Sequence, residues 1–410
     1  MKQETQVLKE LAKRVMEIAR HPVQEERREL WRRHNSFVTT RPLIYVRTFA
    51  FHEILEKQSL HCEDPFYRGY EVKLREMMFR DTIGDDSIIE PWVTVDAVYD
   101  PPVELRWGVR TSLGEKPAAG GAAAFNPQLK TEEDFEKLVI PSHRINESVT
   151  RERAEKLCDA IGDTMDVHVN RGPAFLMWTG DISTDLAKLR GLEQIMWDAY
   201  DRPEWLHKVA AWMRDAILKV HEEAERAGDF SLVNHQNQAM PYAQELRDPK
   251  ANAYGARRRE LWGYMAAQEF TTFSPEMFDE FVLRYQLPIL EKFGLVAYGC
   301  CEDLTHKIDY LRKIPNLRRI AVTPFANVPQ CAEQIGREYI ISWRPNPSSM
   351  ISTGLNEEFV RGFMREHFRI FKAQRSQFDI SLKDVETINH QPENVAKWVR
   401  IVREEIENCF

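Results

Sequence analysis

The chain has 410 residues, 43% of them hydrophobic and 10% aromatic, a composition that supports a large packed core and excludes a disordered or fibrous protein. A net charge of −8 removes the usual electrostatic case for nucleic acid or an anionic membrane surface as the main partner. No apolar run reaches the roughly 18 residues of a membrane span, and the charged N-terminus is no signal peptide, so the six cysteines are expected to be reduced in a cytoplasmic protein.

Leu8, Leu11, Ala12, Val15, Ile18 and Ala19 recur at helical spacing and predict a helix over 5–19, stopped at His21-Pro22, with a second short helix over 23–34. R-P-L-I-Y-V-R, 41–47, is too short for a helix and rich in strand formers, which makes it the first core strand. Between 50 and 130 the pattern predicts a helix near 68–80, and Pro91, Pro101 and Pro102 punctuate the rest. The glycine- and alanine-rich run 116–125 reads as a loop. Beyond 130, T-E-E-D-F-E-K-L opens on a capping residue and an acidic turn. A-F-L-M-W-T, S-L-V-N-H, A-A-Q-E-F, L-V-A-Y-G-C-C, R-R-I-A-V-T, E-Y-I-I-S-W and F-D-I-S-L-K-D are expected as strands, with helices over 184–198 and 203–227 among the intervening segments. Strand and helix alternating about eight times predicts a (β/α)₈ TIM barrel over 38–410, preceded by a helical extension over 1–37. An open doubly wound sheet is the alternative, without a G-x-G-x-x-G after any strand.

In such a barrel the chemistry sits at the C-terminal strand ends. That rule selects Arg47, Asp181, the polar cluster Asn234, His235 and Asn237, then Gln268, Glu269, Cys300, Cys301, Glu302, Thr323, Trp343, Arg344 and Asp384. Strand alternation puts Cys300 on one face with Tyr298 and Glu302, a plausible pair of zinc ligands; buried, inert cysteines are the competing reading. Asp303 suits a helix cap, whereas His235 suits substrate contact and structural hydrogen bonding equally. Asp85 and Asp86 stand ahead of an apolar run and need a cation or donors nearby. Signatures of serine hydrolases, P-loop ATPases, H-E-x-x-H metalloproteases and C-x-x-C redox proteins are missing.

From about 38 to 406 the chain resembles the uroporphyrinogen decarboxylase superfamily of TIM barrels, which includes zinc-dependent methyltransferases acting on corrinoid proteins. The resemblance is carried, in order, by R-P-L-I-Y-V-R, D-D-S-I-I-E-P-W, L-R-G-L-E-Q with D-R-P-E-W, S-P-E-M-F-D-E-F, the strand ending in Cys300-Cys301, and P-E-N-V. Arg47 resembles the first arginine of the decarboxylases' R-Q-A-G-R-Y motif, and Asp86 their essential aspartate, but Phe51 stands where the second arginine would be and their late glycine-histidine-glycine turn is replaced by L-K-D-V. The corrinoid methyltransferases place a His-x-Cys on the sixth strand and a cysteine on the last; here Cys300 fits the first cysteine, Tyr298 occupies the histidine position, and Lys383 or Asp384 the other.

The resemblance implies a methyltransferase that moves a methyl group from a small methylated, O-methyl donor to cobalamin on a separate corrinoid protein. Zinc is either absent or held by a mixed set, Cys300 or Cys301 and Asp384 with Glu302 or His235; the mixed set is the expectation, with Glu302 alternatively an acid. Asn234, His235, Asn237, Gln268, Glu269, Tyr298 and Trp343 are expected to line the substrate pocket. A carboxy-lyase using Arg47 and Asp86 is the alternative enzyme, and a non-catalytic binding barrel the third reading; an oligomer is possible in each case.

Overall fold

The computed structural model describes residues 2–47, 50–55, 59–111 and 125–410; the loop expected over 116–125 lies outside them except for Phe125. Helix α1 (Lys2–Ala19) keeps Leu8, Leu11, Ala12 and Val15 buried against α4 (Pro65–Ile83) and α5 (Glu147–Ile161). Between them come α2 (Pro22–Asn35), with a proline in its first turn, the strand β1 (Leu43–Val46) and the short α3 (Phe51–Leu55). Strands β2 (Trp92–Asp96) and β3 (Asp166–Asn170) flank α5 in sequence and form a parallel pair of their own. After α6 (Ser183–Arg190), α7 (Leu192–Asp201) and α8 (Pro203–Ala227) the chain alternates: β4 (Trp262–Met265), α9 (Pro275–Phe278) and α10 (Arg284–Leu290) joined by a π-turn, β5 (Leu295–Tyr298), α11 (Ile308–Leu311), β6 (Leu317–Val322), α12 (Val328–Ile335), β7 (Ile340–Trp343), α13 (Glu357–Ala373), β8 (Phe378–Leu382) and α14 (Glu393–Cys409).

The fold is α/β, built on a parallel six-stranded sheet in the order β1-β8-β7-β6-β5-β4 beside the two-stranded β2-β3. Four sequence expectations shift. A-F-L-M-W-T is no strand: Met177 has φ +47 and Met177–Thr179 is a 3-10 turn, while the alternating D-V-H-V-N just before it forms β3. The strand expected at A-A-Q-E-F lies one step earlier, in W-G-Y-M, and S-L-V-N-H contributes only an isolated bridge at Ser231. The strand ending at Tyr298 is the fifth in the chain, not the sixth.

Loop residues bond both edges of the six-stranded sheet. Along the free edge of β1, Asp86 Oδ2 accepts from Ile44 N (2.8 Å) and Asp85 Oδ2 from Val46 N (2.8 Å), so two carboxylates supply the acceptors that a neighbouring strand would offer. Along β4, Gln236 N donates to Trp262 O (3.0 Å) and His235 Nδ1 accepts from Trp262 N (3.2 Å).

Alternation then decides which face does what. Ile44, Val46, Met265, Val296, Tyr298, Ile320, Val322, Ile341, Trp343, Ile380 and Leu382 pack with the helices in the main core. The opposite face carries Tyr264 and Ala297 beside the polar Arg319, Ser342, Asp379, Ser381 and Lys383, all buried. At its N-terminal end α2 closes that face: Asp379 is paired with Arg319 (2.6 Å) and His34 (3.1 Å), and Arg319 donates to Asn35 Oδ1 (2.9 Å). The C-terminal strand ends remain for chemistry.

Candidate active site at the ends of strands five and eight

Strand β5 pairs in register with β4 through Tyr298, with one register shift against β6 between Val296 and Ala297, and Gly299 then turns in the left-handed region at φ +99, where a Cβ would lie 2.6 Å from Leu304 Cδ1 and 3.0 Å from Ala321 Cβ. This turn breaks the alternation read from the sequence. Tyr298 points to the helical layer, donating to Gln286 Oε1 (2.7 Å), while Cys300 packs with Ala297 and Tyr264 on the opposite face. Glu302 is buried with both oxygens engaged: Oε1 accepts from Ala267 N (2.9 Å) and Oε2 from Cys300 N (2.7 Å), which ties the ends of β4 and β5 together. Arg344 donates to the Cys300 and Gly299 carbonyls, and Tyr264 Oη donates to Gly299 O (3.2 Å).

On β8 the alternation continues through Asp379 and Ser381 to Lys383, whose Nζ lies 3.3 Å from Cys300 Sγ, 3.4 Å from Cys301 Sγ and 2.9 Å from Asp384 Oδ2. The two sulfurs are 3.4 Å apart, and Cys301 Sγ stands 3.7 Å from Asp384 Oδ2. Cys300 is buried, Cys301 half-buried, and the Asp384 side chain 50% exposed, so the cluster opens to solvent on one side. The Cys301 thiol donating to it brings the Cys300 thiol down to about 6; burial opposes this, while Lys383 and Arg344 assist. The same hydrogen bond, with burial, pushes the Cys301 thiol up. The hydrogen bond, with Lys383 and Arg344 nearby, favours negative charge on Cys300 over Cys301. Arg47 stacks over Trp178 (5.6 Å to the ring centre), which packs edge-on to Tyr264 (5.0 Å).

Zinc requires its thiolate ligands to converge on one point at about 2.3 Å. Among the described residues no group of three or more His, Cys, Asp or Glu side chains is arranged to hold a metal ion, and Lys383 occupies the space between Cys300, Cys301 and Asp384. The other expected ligands are committed to backbone groups, Glu302 as described and His235 to Trp262 N and Arg247 O. As arranged, these residues do not fit a zinc ion.

The structure thus brings Cys300, Cys301, Glu302 and Asp384 together and disperses most of the other expected residues. His235 lies at the N-terminal end of β4, and burial brings its imidazole down to about 4. Asn234 bonds Ser231 N (2.8 Å) and Asn170 Oδ1 (2.7 Å), and Asn237 caps Ala239 N (3.0 Å); both shape the loop before β4. Gln268 and Glu269 follow β4 in a 3-10 turn, where Glu269 accepts from Ser183 Oγ (2.9 Å). Trp343 faces α13, stacked on His367 (4.8 Å) and Phe363 (5.7 Å). Asp86 accepts from Arg41 (2.9 and 2.6 Å), Arg403 (3.2 Å) and Ile44 N, near the N-terminal end of β1. Sequence reasoning placed Lys383 only as a match for a relative's cysteine and gave it no role, although polar residues at every second position of F-D-I-S-L-K-D point to it; Tyr264 and Trp178 carried no such signal.

No family model matches the sequence, and no curated protein does. Among solved structures, the chain is similar to a methyltransferase from Methanosarcina mazei, with 10% sequence identity, a TM-score of 0.49, and coverage of 92% of this chain and 97% of that one.

Proposed function

We propose that the protein is a methyltransferase that accepts a small O- or N-methylated donor at the C-terminal ends of β5 and β8 and passes the methyl group to cobalamin carried by a separate corrinoid protein. In this reading the eight parallel strands form a (β/α)₈ barrel whose two seams are filled by Asp85-Asp86 and by the segment 231–238, with α2 closing the far end. The observation that carries the reading is the cluster of two thiols, an ammonium and a half-exposed carboxylate at the open end. Displacing a methyl group from oxygen or nitrogen expels a poor leaving group unless a proton reaches it, so such a site needs an acid beside an open approach for the methyl acceptor. Reduced cobalamin, when bound, supplies the electron pair that takes the methyl carbon.

This chain's own residues do the rest. Glu302 and Arg344 fix the backbone of the Gly299–Cys301 turn from both sides. Trp178, held between Arg47 and Tyr264, offers an aromatic wall for a small donor. A carboxy-lyase centred on Arg47 and Asp86 has less support, because the Asp86 oxygens are engaged by Arg41, Arg403 and the β1 edge. The reading is tested by incubating the protein with cob(I)alamin and isotopically labelled methyl ethers and methylamines. Labelled methylcobalamin above the protein-free rate is expected; its absence across the panel would count against methyl transfer.

A further inference from the structure

We infer that Lys383 takes the place of a metal ion in this centre: its ammonium is the cation held by Cys300, Cys301 and Asp384, and it is the acid that protonates the leaving atom. The second half rests on the methyl-transfer reading; the first does not. An ammonium has three N–H donors, and Lys383 has three acceptors around it at 3.3, 3.4 and 2.9 Å. Its side chain is only 7% exposed, and a lysine this buried needs anionic partners to keep its charge. It arrives there on the regular alternation of β8, two residues beyond Ser381, rather than from a free surface position. A divalent ion bound to the same sulfurs and carboxylate would stand against this ammonium with nothing between them, so the two cations exclude each other.

In the transfer step the C–O bond breaks with its electron pair going to oxygen, and the methyl carbon bonds to the acceptor's lone pair. The proton on Lys383 Nζ passes to the departing oxygen. Lys383 is then neutral and regains a proton from water on the side where Asp384 is exposed.

The test is zinc binding by the full chain, stripped with a chelator, titrated with zinc alone, and analysed for metal after gel filtration. Wild type is expected to hold far less than one zinc per chain. Lys383→Ala, which frees the three donors, is expected to approach one per chain and to lose it again when Cys301→Ser is added. A wild-type protein that holds one zinc, released by Cys301→Ser, would overturn the inference whether or not the variants fold; so would a folded Lys383→Ala that gains none. For the acid role, Lys383→Met should slow transfer from a methyl aryl ether by at least about 100-fold. Transfer from tetramethylammonium, whose leaving amine needs no proton, should fall by much less; equal loss with both donors would remove the acid role. If wild type transfers from no donor, the methyl-transfer reading fails and the zinc result still stands on its own.

Discussion

Glu302 is a carboxylate at the candidate site whose two oxygens are both taken up by backbone groups. The donors are N–H groups from two neighbouring strand ends, so Glu302 sets the position of Cys300 rather than serving as ligand or acid. Glu302→Gln turns one acceptor into a donor facing another donor; it should destabilise the protein by about 1–3 kcal/mol in urea unfolding. It should also lower transfer with every donor alike, because the Cys300 turn relaxes, whereas an effect confined to ether donors would mark Glu302 as the acid. Tyr298→Phe should be nearly silent for activity, since the hydroxyl serves Gln286 in the helical layer. At this scale the sequence was half legible. The Cys300-Cys301-Glu302 stretch and Asp384 stood out as polar residues ending apolar runs, but the assignment of faces failed because one left-handed glycine inverts the alternation after Tyr298. Strand periodicity cannot foresee a turn at a position where any Cβ would run into Leu304 and Ala321.

At the scale of elements, the strands buried on both faces were the readable ones: L-I-Y-V, L-V-A-Y, I-I-S-W and F-D-I-S-L formed where expected. The β2-β3 pair was lost because its strands are shorter in apolar signal and A-F-L-M-W-T, more apolar but ending in a 3-10 turn, competed with them. The free edge of β1 makes a specific demand. Asp86 holds Arg41 and Ile44 N, and burial is overcome by Arg41 and Arg403 to keep its carboxyl below the usual range. Asp86→Ala removes both carboxylate acceptors from Arg41 and the one from Ile44 N and should cost about 3–5 kcal/mol. Trp343→Leu, in the aromatic stack against α13, should cost about 2–4 kcal/mol with transfer rates unchanged, because that ring faces the helices and not the site. Calorimetry alongside transfer assays separates these two effects.

Across the whole molecule, the class of fold was legible from alternation alone, and the closing of one end by α2 was not, since it depends on His34 and Asn35 reaching strands more than 280 residues away. Several buried imidazoles give the fold a defined acid limit. Burial brings both His235 and His221 down from 6.5 to about 4. Between those values the unfolded chain binds protons that the native chain does not, so stability falls as pH drops through this window. For the buried His221 this amounts to roughly 2.5 kcal/mol of loss by about pH 4.5, and less for the half-buried His235; His221→Gln should remove about that much of the difference in unfolding free energy between neutral and acid pH. The most direct test of the proposed methyl-transfer centre is single-turnover methyl transfer to cob(I)alamin for wild type, Cys300→Ala and Asp86→Asn, each held below its unfolding transition. The cluster at the ends of β5 and β8 predicts a loss of about 100-fold or more in Cys300→Ala and near-normal transfer in Asp86→Asn. The reverse pattern, an active Cys300→Ala and an inactive Asp86→Asn, would contradict it.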